Sequence, residues 1–300
     1  MRYRSGLIAI LAAASSAVIG LGTASVNAQA LIPHTVRINF GNLEEQALVL
    51  AREAAQLAQF EQYDLALPRA RLAVQLAPKA FQTQGILGSI YLRKEKYPEA
   101  IASLSAAYEL KPDEPTILFT LGSAYLRNKD YSAAVRTLQK GLALSPNSPS
   151  AIFDLGNAYF LTQKYSEAID QFNRVLSLDK KFWAATNNIG LVEYERGNRD
   201  TAIEFWQNSL KQAKEVEFQA AEPTLALAAA TYAKGDRAKG IELGVEAMKI
   251  DPRYGKPEYL LENLWGEKLI ADTKPILEAP PVKKLIDESA AVVRPVPRRR

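Results

Sequence analysis

The sequence predicts an all-α fold: a right-handed superhelical solenoid of about six helix pairs, closed by a C-terminal capping helix. Three observations carry that expectation. Glycines recur 34 residues apart, at Gly88, Gly122, Gly156 and Gly190. Alanines keep the same step at Ala66, Ala100, Ala134, Ala168 and Ala202. Tyrosines keep it twice, at Tyr91, Tyr125 and Tyr159 and at Tyr63, Tyr97, Tyr131 and Tyr165, while Pro78, Pro112 and Pro146 fall between successive units. Two short helices cannot bury their apolar faces alone, so units of this length must stack on one another.

Each column has a physical reason. A glycine in the middle of a first helix costs about 1 kcal/mol against alanine. Repeating that cost implies a neighbouring helix that a larger side chain would push away. The alanines twelve residues later lie on the second helix and are expected to face that contact. Tyr91, Tyr125 and Tyr159 stand three residues after each glycine, one turn along the same apolar stripe. Asp64, Pro98, Ser132, Ser166 and Asp200 open the second helices, where Asp and Ser suit capping and Pro suits the first turn. The closing prolines stop the second helices.

The run Leu87-Gly88…Tyr91…Ala100…Leu104…Ala107…Pro112 resembles the tetratricopeptide repeat. That register places units at residues 47–80, 81–114, 115–148, 149–182, 183–216 and 221–254. The departures fall at the ends. Ala54 replaces the glycine of the first unit, and Glu193 replaces the tyrosine of the fifth, with Tyr194 beside it. Glu217–Ala220 break the period before a sixth unit with Ala228, Gly240 and Pro252.

The flanking segments read differently. Met1–Arg4 carries two arginines, Gly6–Ala30 has no charged residue, and Val26-Asn27-Ala28 offers a small-x-small cleavage pattern. Residues 1–30 therefore read as a signal peptide, with an uncleaved membrane anchor as the alternative. Both place the repeats outside the cytoplasm, in the periplasm or at a membrane. Residues 31–46 read as a linker. Residues 255–278 read as one or two capping helices, with Tyr259, Leu260, Leu264 and Leu269 as their apolar stripe. Residues 279–300, opened by Pro280-Pro281 and closed by Arg298-Arg299-Arg300, read as an extended, mobile tail. That arginine cluster suits an anionic membrane surface or a solubilising end equally.

The chemical inventory is thin. Cysteine is absent, which excludes disulfides, thiolate metal sites and cysteine nucleophiles. His34 is the only histidine and precedes the repeats. No phosphate-binding glycine loop occurs, and Glu44-Glu45 and Glu193/Glu195 read as solvated faces. A formal net charge of +4 leaves no footprint for nucleic acid. The sequence thus predicts no enzyme, cofactor or metal site.

The resemblance implies a protein partner held in a concave groove lined by first helices. Carried over by register, the groove residues are Ser89, Phe119, Ser123, Phe153, Asn157, Phe160, Asn187, Asn188, Leu191 and Tyr194. Asn157 and Asn188 match asparagines that hold peptide backbone or carboxylate in related chaperone-binding repeats. The basic partners of that clamp are missing, with Glu222 and Ala226 in their places. The groove therefore suits a helix or extended segment rather than a C-terminal carboxylate. The stretch Asn263–Leu269 is similar to cyanobacterial thylakoid-associated tetratricopeptide proteins, including those that interact with protochlorophyllide oxidoreductase. That likeness implies an assembly role in chlorophyll synthesis; a periplasmic adaptor in envelope or secretion assembly is the alternative.

Overall fold

The computed structural model describes residues 42–292. Residues 1–30, His34 and Arg298–Arg300, with the readings placed on them, lie outside the described residues. Six helix hairpins follow in chain order: α1 (Leu43–Gln59) with α2 (Tyr63–Leu76), α3 (Phe81–Arg93) with α4 (Tyr97–Leu110), and α5 (Pro115–Arg127) with α6 (Tyr131–Leu144). Then come α7 (Pro149–Leu161) with α8 (Tyr165–Leu178), α9 (Trp183–Arg196) with α10 (Arg199–Glu215), and α11 (Ala221–Ala233) with α12 (Arg237–Ile250). A 3₁₀ turn at Pro252–Gly255 leads to α13 (Pro257–Glu262), α14 (Glu267–Leu277) and α15 (Pro280–Val292). There is no strand among the described residues.

Contacts are heaviest within each hairpin, then between a second helix and the first helix of the next unit. That pattern is a solenoid, in which each unit is stabilised by its neighbours. The first helix starts earlier than the sequence indicates, so Leu43–Gln46 belong to α1 rather than to a linker.

The glycine column is a close-contact column. A Cβ on Gly88 would stand 2.5 Å from Leu104 Cγ, and one on Gly122 would stand 2.5 Å from Leu138 Cγ. Gly156 faces Phe172 in the same way, and Gly190 faces Trp206. The residue that fills the gap is thus sixteen positions on, rather than the alanine twelve positions on; the carbonyl of that alanine also lies close to Gly88. The pair changes size together where the pattern lapses. Ala54 at the glycine position is matched by Ala70, and both are fully buried. In the sixth unit the sizes reverse, with Ala228 on α11 and Gly244 on α12.

One expectation on caps needs correction. Asp64, Pro98, Ser132, Ser166 and Asp200 are the second residues of their helices, so they cannot serve as N-caps. Asp130 is the capping residue of α6, its carboxylate accepting from Ala133 N at 3.1 Å. Asp64 and Asp200 instead meet Lys94 and Lys234 of the following units at 2.9 and 2.6 Å. Pro98 does sit in the first turn of α4.

The larger correction is at the C-terminus. The segment from residue 279 is not simply an extended tail: α15 occupies Pro280–Val292 and packs on α12 and the 3₁₀ turn. The proline pair that reads as a helix breaker is tolerated because it lies in the first turn. The apolar side chains Val282 and Leu285 then fall inward, with Val282 fully buried.

Candidate functional site: the concave groove

First helices of successive units lie side by side, and their polar side chains form a ladder. Ser123 Oγ of α5 donates to the Asp154 carboxylate of α7. Asn188 Nδ2 of α9 donates to Asn157 Oδ1 of α7 at 2.8 Å. Both links span 31 residues, so each is the same step between neighbouring first helices. At α11 the ladder changes partner. The Glu222 carboxylate accepts from Trp265 Nε1 at 3.2 Å and from Tyr254 Oη at 3.5 Å. Both donors come from the chain beyond α12.

Beside this ladder lies a cavity of about 460 Å³. Phe153, Asp154, Asn157, Leu161 and Asn188 line it from α7 and α9, and Glu222 from α11. Leu126, Arg127, Lys129 and Tyr131 border it from the third unit, and Glu95 and Tyr97 from the second. A further wall is Leu261 and Glu262 at the end of α13, with Asn263 and Leu264 of the turn that follows. Burial holds the Asp154 carboxyl above the ordinary carboxylate range against the opposing pull of Ser123 and Arg127. Burial likewise pushes Glu222 up to about 7, despite hydrogen bonds from Trp265, Asn187 and Tyr254 that favour its ionised form.

The expected groove residues therefore divide. Phe153, Asn157 and Asn188 line the cavity, and Ser123 anchors Asp154 within it. Ser89 lies in a second, shallower depression of about 320 Å³ with Phe81, Ile86 and Ile117. Its hydroxyl donates to Gly85 O at 2.9 Å. The other five are structural. Phe119 turns onto Gly141 of α6, whose missing Cβ makes room for the ring. Phe160 is buried against Tyr165, with ring centroids 5.9 Å apart. Asn187 and Leu191 are each 1% exposed. Tyr194 is also buried, because its hydroxyl donates to Asp272 of α14 at 2.6 Å.

Phe119 and Phe160 pack within their own hairpins, whereas Tyr194 is covered by α14. Helix α14 lies against α9 and α11, over the surface that first helices present in the open units. Leu269 and Ile276 insert as buried anchors, and Trp265 is 3% exposed. Arg199 stacks over the Tyr194 ring at 5.5 Å while reaching Asp272 at 3.4 Å. The helix starts at Gly266, which has no capping side chain, so Glu195 of α9 supplies the acceptor for Leu269 N at 3.1 Å. A Cβ on Gly266 would collide with that same Glu195 side chain. The sequence carried this signal in Trp265-Gly266 and in the Gly244 substitution: a Cβ there would lie 2.4 Å from Ile276.

The comparisons with known proteins agree with this geometry. Residues 88–129 match a family model described as TPR repeat, and residues 119–185 and 153–215 match one described as tetratricopeptide repeat. The fold is a tetratricopeptide-repeat solenoid. No curated protein matches the chain in sequence. Among solved structures, this solenoid is similar to PilW, a widely conserved type IV pilus biogenesis factor, with a TM-score of 0.60 and 17% identity over 75% of this chain and 97% of that one. PilF of Pseudomonas aeruginosa gives 0.59 and 16% over 74% and 98%. MamA gives 0.52 and 23% over 60% and 97%. These likenesses establish the fold. Among the described residues no group of three or more His, Cys, Asp or Glu could hold a metal, and no helix is long and apolar enough to cross a membrane.

Proposed function

We propose that this tetratricopeptide solenoid is a non-enzymatic scaffold that binds a segment of another polypeptide in the open part of its concave groove. The observation that carries the reading is the cavity itself. It joins an aromatic wall at Phe153, an amide pair at Asn157 and Asn188, and side chains from five successive units. Amides suit backbone recognition, and the aromatic suits an apolar anchor. The role favoured is an adaptor for assembly at the cell envelope. Its support is the charge-poor segment 6–30 and the likeness to PilW, itself a pilus biogenesis factor. A thylakoid role has less behind it: Trp265 in the stretch Asn263–Leu269 is a core side chain here, and none of the similar structures named above bears on chlorophyll synthesis.

Site-specific photo-cross-linking tests the groove. Benzoylphenylalanine at Leu161, which lines the cavity, is expected to trap a partner in intact cells. The same probe at Gln139 on α6, outside the cavity lining, is expected to trap none. A partner captured at Gln139 but never at Leu161 would move the site to the second helices.

A further inference from the structure

The groove carries more carboxylates than cations, and its two innermost carboxyls have no cation paired with them. Four carboxylates line it, Glu95, Asp154, Glu222 and Glu262, against two cations, Arg127 and Lys129. The two cations are exposed at the rim, as are Glu95 and Glu262. Asp154 and Glu222 lie within, their carboxyls desolvated. Among the described residues no ion pair includes either of them. Buried carboxyls are ordinarily paired with a cation, because desolvation without a counter-charge is costly. A further acceptor adjoins them. Asn187 is 1% exposed, its Nδ2 donates to Asn188 Oδ1 at 3.1 Å, and its Oδ1 has no hydrogen-bond partner. Its side chain also reaches the Glu222 carboxyl. Around these carboxyls lie the apolar faces of Phe153, Leu161 and Leu126.

We propose that the groove receives one lysine or arginine side chain of the partner polypeptide, its cation held by the Asp154 and Glu222 carboxyls and its stem lying against Phe153 and Leu161. This rests on the groove reading above. It inverts the carboxylate clamp: the position that would carry a lysine in a clamp carries Glu222 here, and the ligand supplies the positive charge. The cavity of about 460 Å³ admits a long side chain with part of its backbone. A long basic side chain covers apolar wall with its stem while its head reaches polar groups. Arg127 and Lys129 at the rim meet the backbone carbonyls or acidic neighbours of the same segment.

The test uses the full chain at pH 8, where the Glu222 carboxyl is ionised. Three pools of fluorescent dodecapeptides with randomised flanks carry arginine, citrulline or glutamate at the central position. Citrulline keeps the shape of arginine without its charge. Retention of the arginine pool is expected to exceed that of the citrulline pool about ten-fold, with the glutamate pool lowest. In Asp154→Asn with Glu222→Gln, which keeps the Ser123 and Trp265 hydrogen-bond partners, the preference is expected to fall below about two-fold. Circular dichroism melting checks that this variant is folded. Equal retention of arginine and citrulline, with both lost in Asn157→Ala with Asn188→Ala, would overturn the cation site while leaving the groove standing. Retention of all pools unaffected by the amide variant would overturn the groove and the cation site together. No retention of any pool above the level seen with the carboxyl double variant would also overturn the cation site.

Discussion

Units two to four and units five to six follow one repeat, yet their concave faces have opposite fates. In α7 the residues Phe153, Asp154 and Asn157 line a cavity. In α9 ten consecutive residues, Ala185–Tyr194, are buried, and in α11 the run from Pro223 to Ala230 is buried as well. A helix buried all round is packed on every side. Here the extra side is covered by the chain itself, through α14. The same register position therefore lines a cavity in one half and is core in the other, decided by α14, which begins more than thirty residues after α11 ends. Even the turns differ. Units one to four place Glu61, Glu95, Lys129 and Gln163 in the left-handed region, at φ between 58° and 65°, whereas units five and six use Gly197 and Gly235.

Four changes would break or sharpen this contrast, and the largest strikes the covered half. Trp265→Ala removes a buried indole and a donor to Glu222. Truncations of this kind cost about 3–5 kcal/mol. Hydrogen exchange should show the loss confined to residues 257–292 and the facing turns of α9 and α11, with α3 to α7 unchanged. Gly122→Leu strikes the open half instead, driving a side chain into Leu138. Overpacking of this sort costs about 1–3 kcal/mol, read as a lower urea midpoint for the repeats.

A pH series separates the halves without large structural change. Glu222 has its folded carboxyl raised to about 7 from an ordinary value of 4.5, chiefly by burial. An acid whose folded value is raised favours the fold when neutral. Its contribution is complete below pH 4.5 and declines as pH rises through 7. Docking of residues 257–292 should thus be tighter at pH 5 than at pH 8, by hydrogen exchange, and Glu222→Gln should remove that component. The smallest effect is at the turns. Lys129→Gly relieves a left-handed residue and should change stability by no more than about 1 kcal/mol, in the favourable direction. Gly197→Lys should cost about 1 kcal/mol. Equal and null effects would mean the two kinds of turn are interchangeable.

Much of the fold is legible in the sequence because the repeat multiplies each signal. Four glycines at one spacing identify a close contact that one glycine would leave ambiguous. Their partners Leu104, Leu138, Phe172 and Trp206 differ in type, so no identity column marks them. The site is less legible. Asn157 and Asn188 are found by register, but Asp154 and Glu222 need the packing that desolvates them. The loss of Leu191 and Tyr194 from the groove depends on where α14 lies, a non-local contact that no periodicity encodes. Helix α15 is hidden by its proline pair, which reads as a breaker until its place in a first turn is known.

Hydroxyl-radical footprinting of the intact chain tests the division of the groove most directly. Two tyrosines report on it: Tyr131 lines the open cavity, and Tyr194 lies beneath α14. Tyr131 is expected to oxidise readily in both the parent protein and Trp265→Ala. Tyr194 is expected to be protected in the parent and to oxidise in the variant, as α14 leaves. Tyr194 reacting as fast as Tyr131 in the parent protein would mean that the C-terminal helices do not fill the groove, and the account would be wrong.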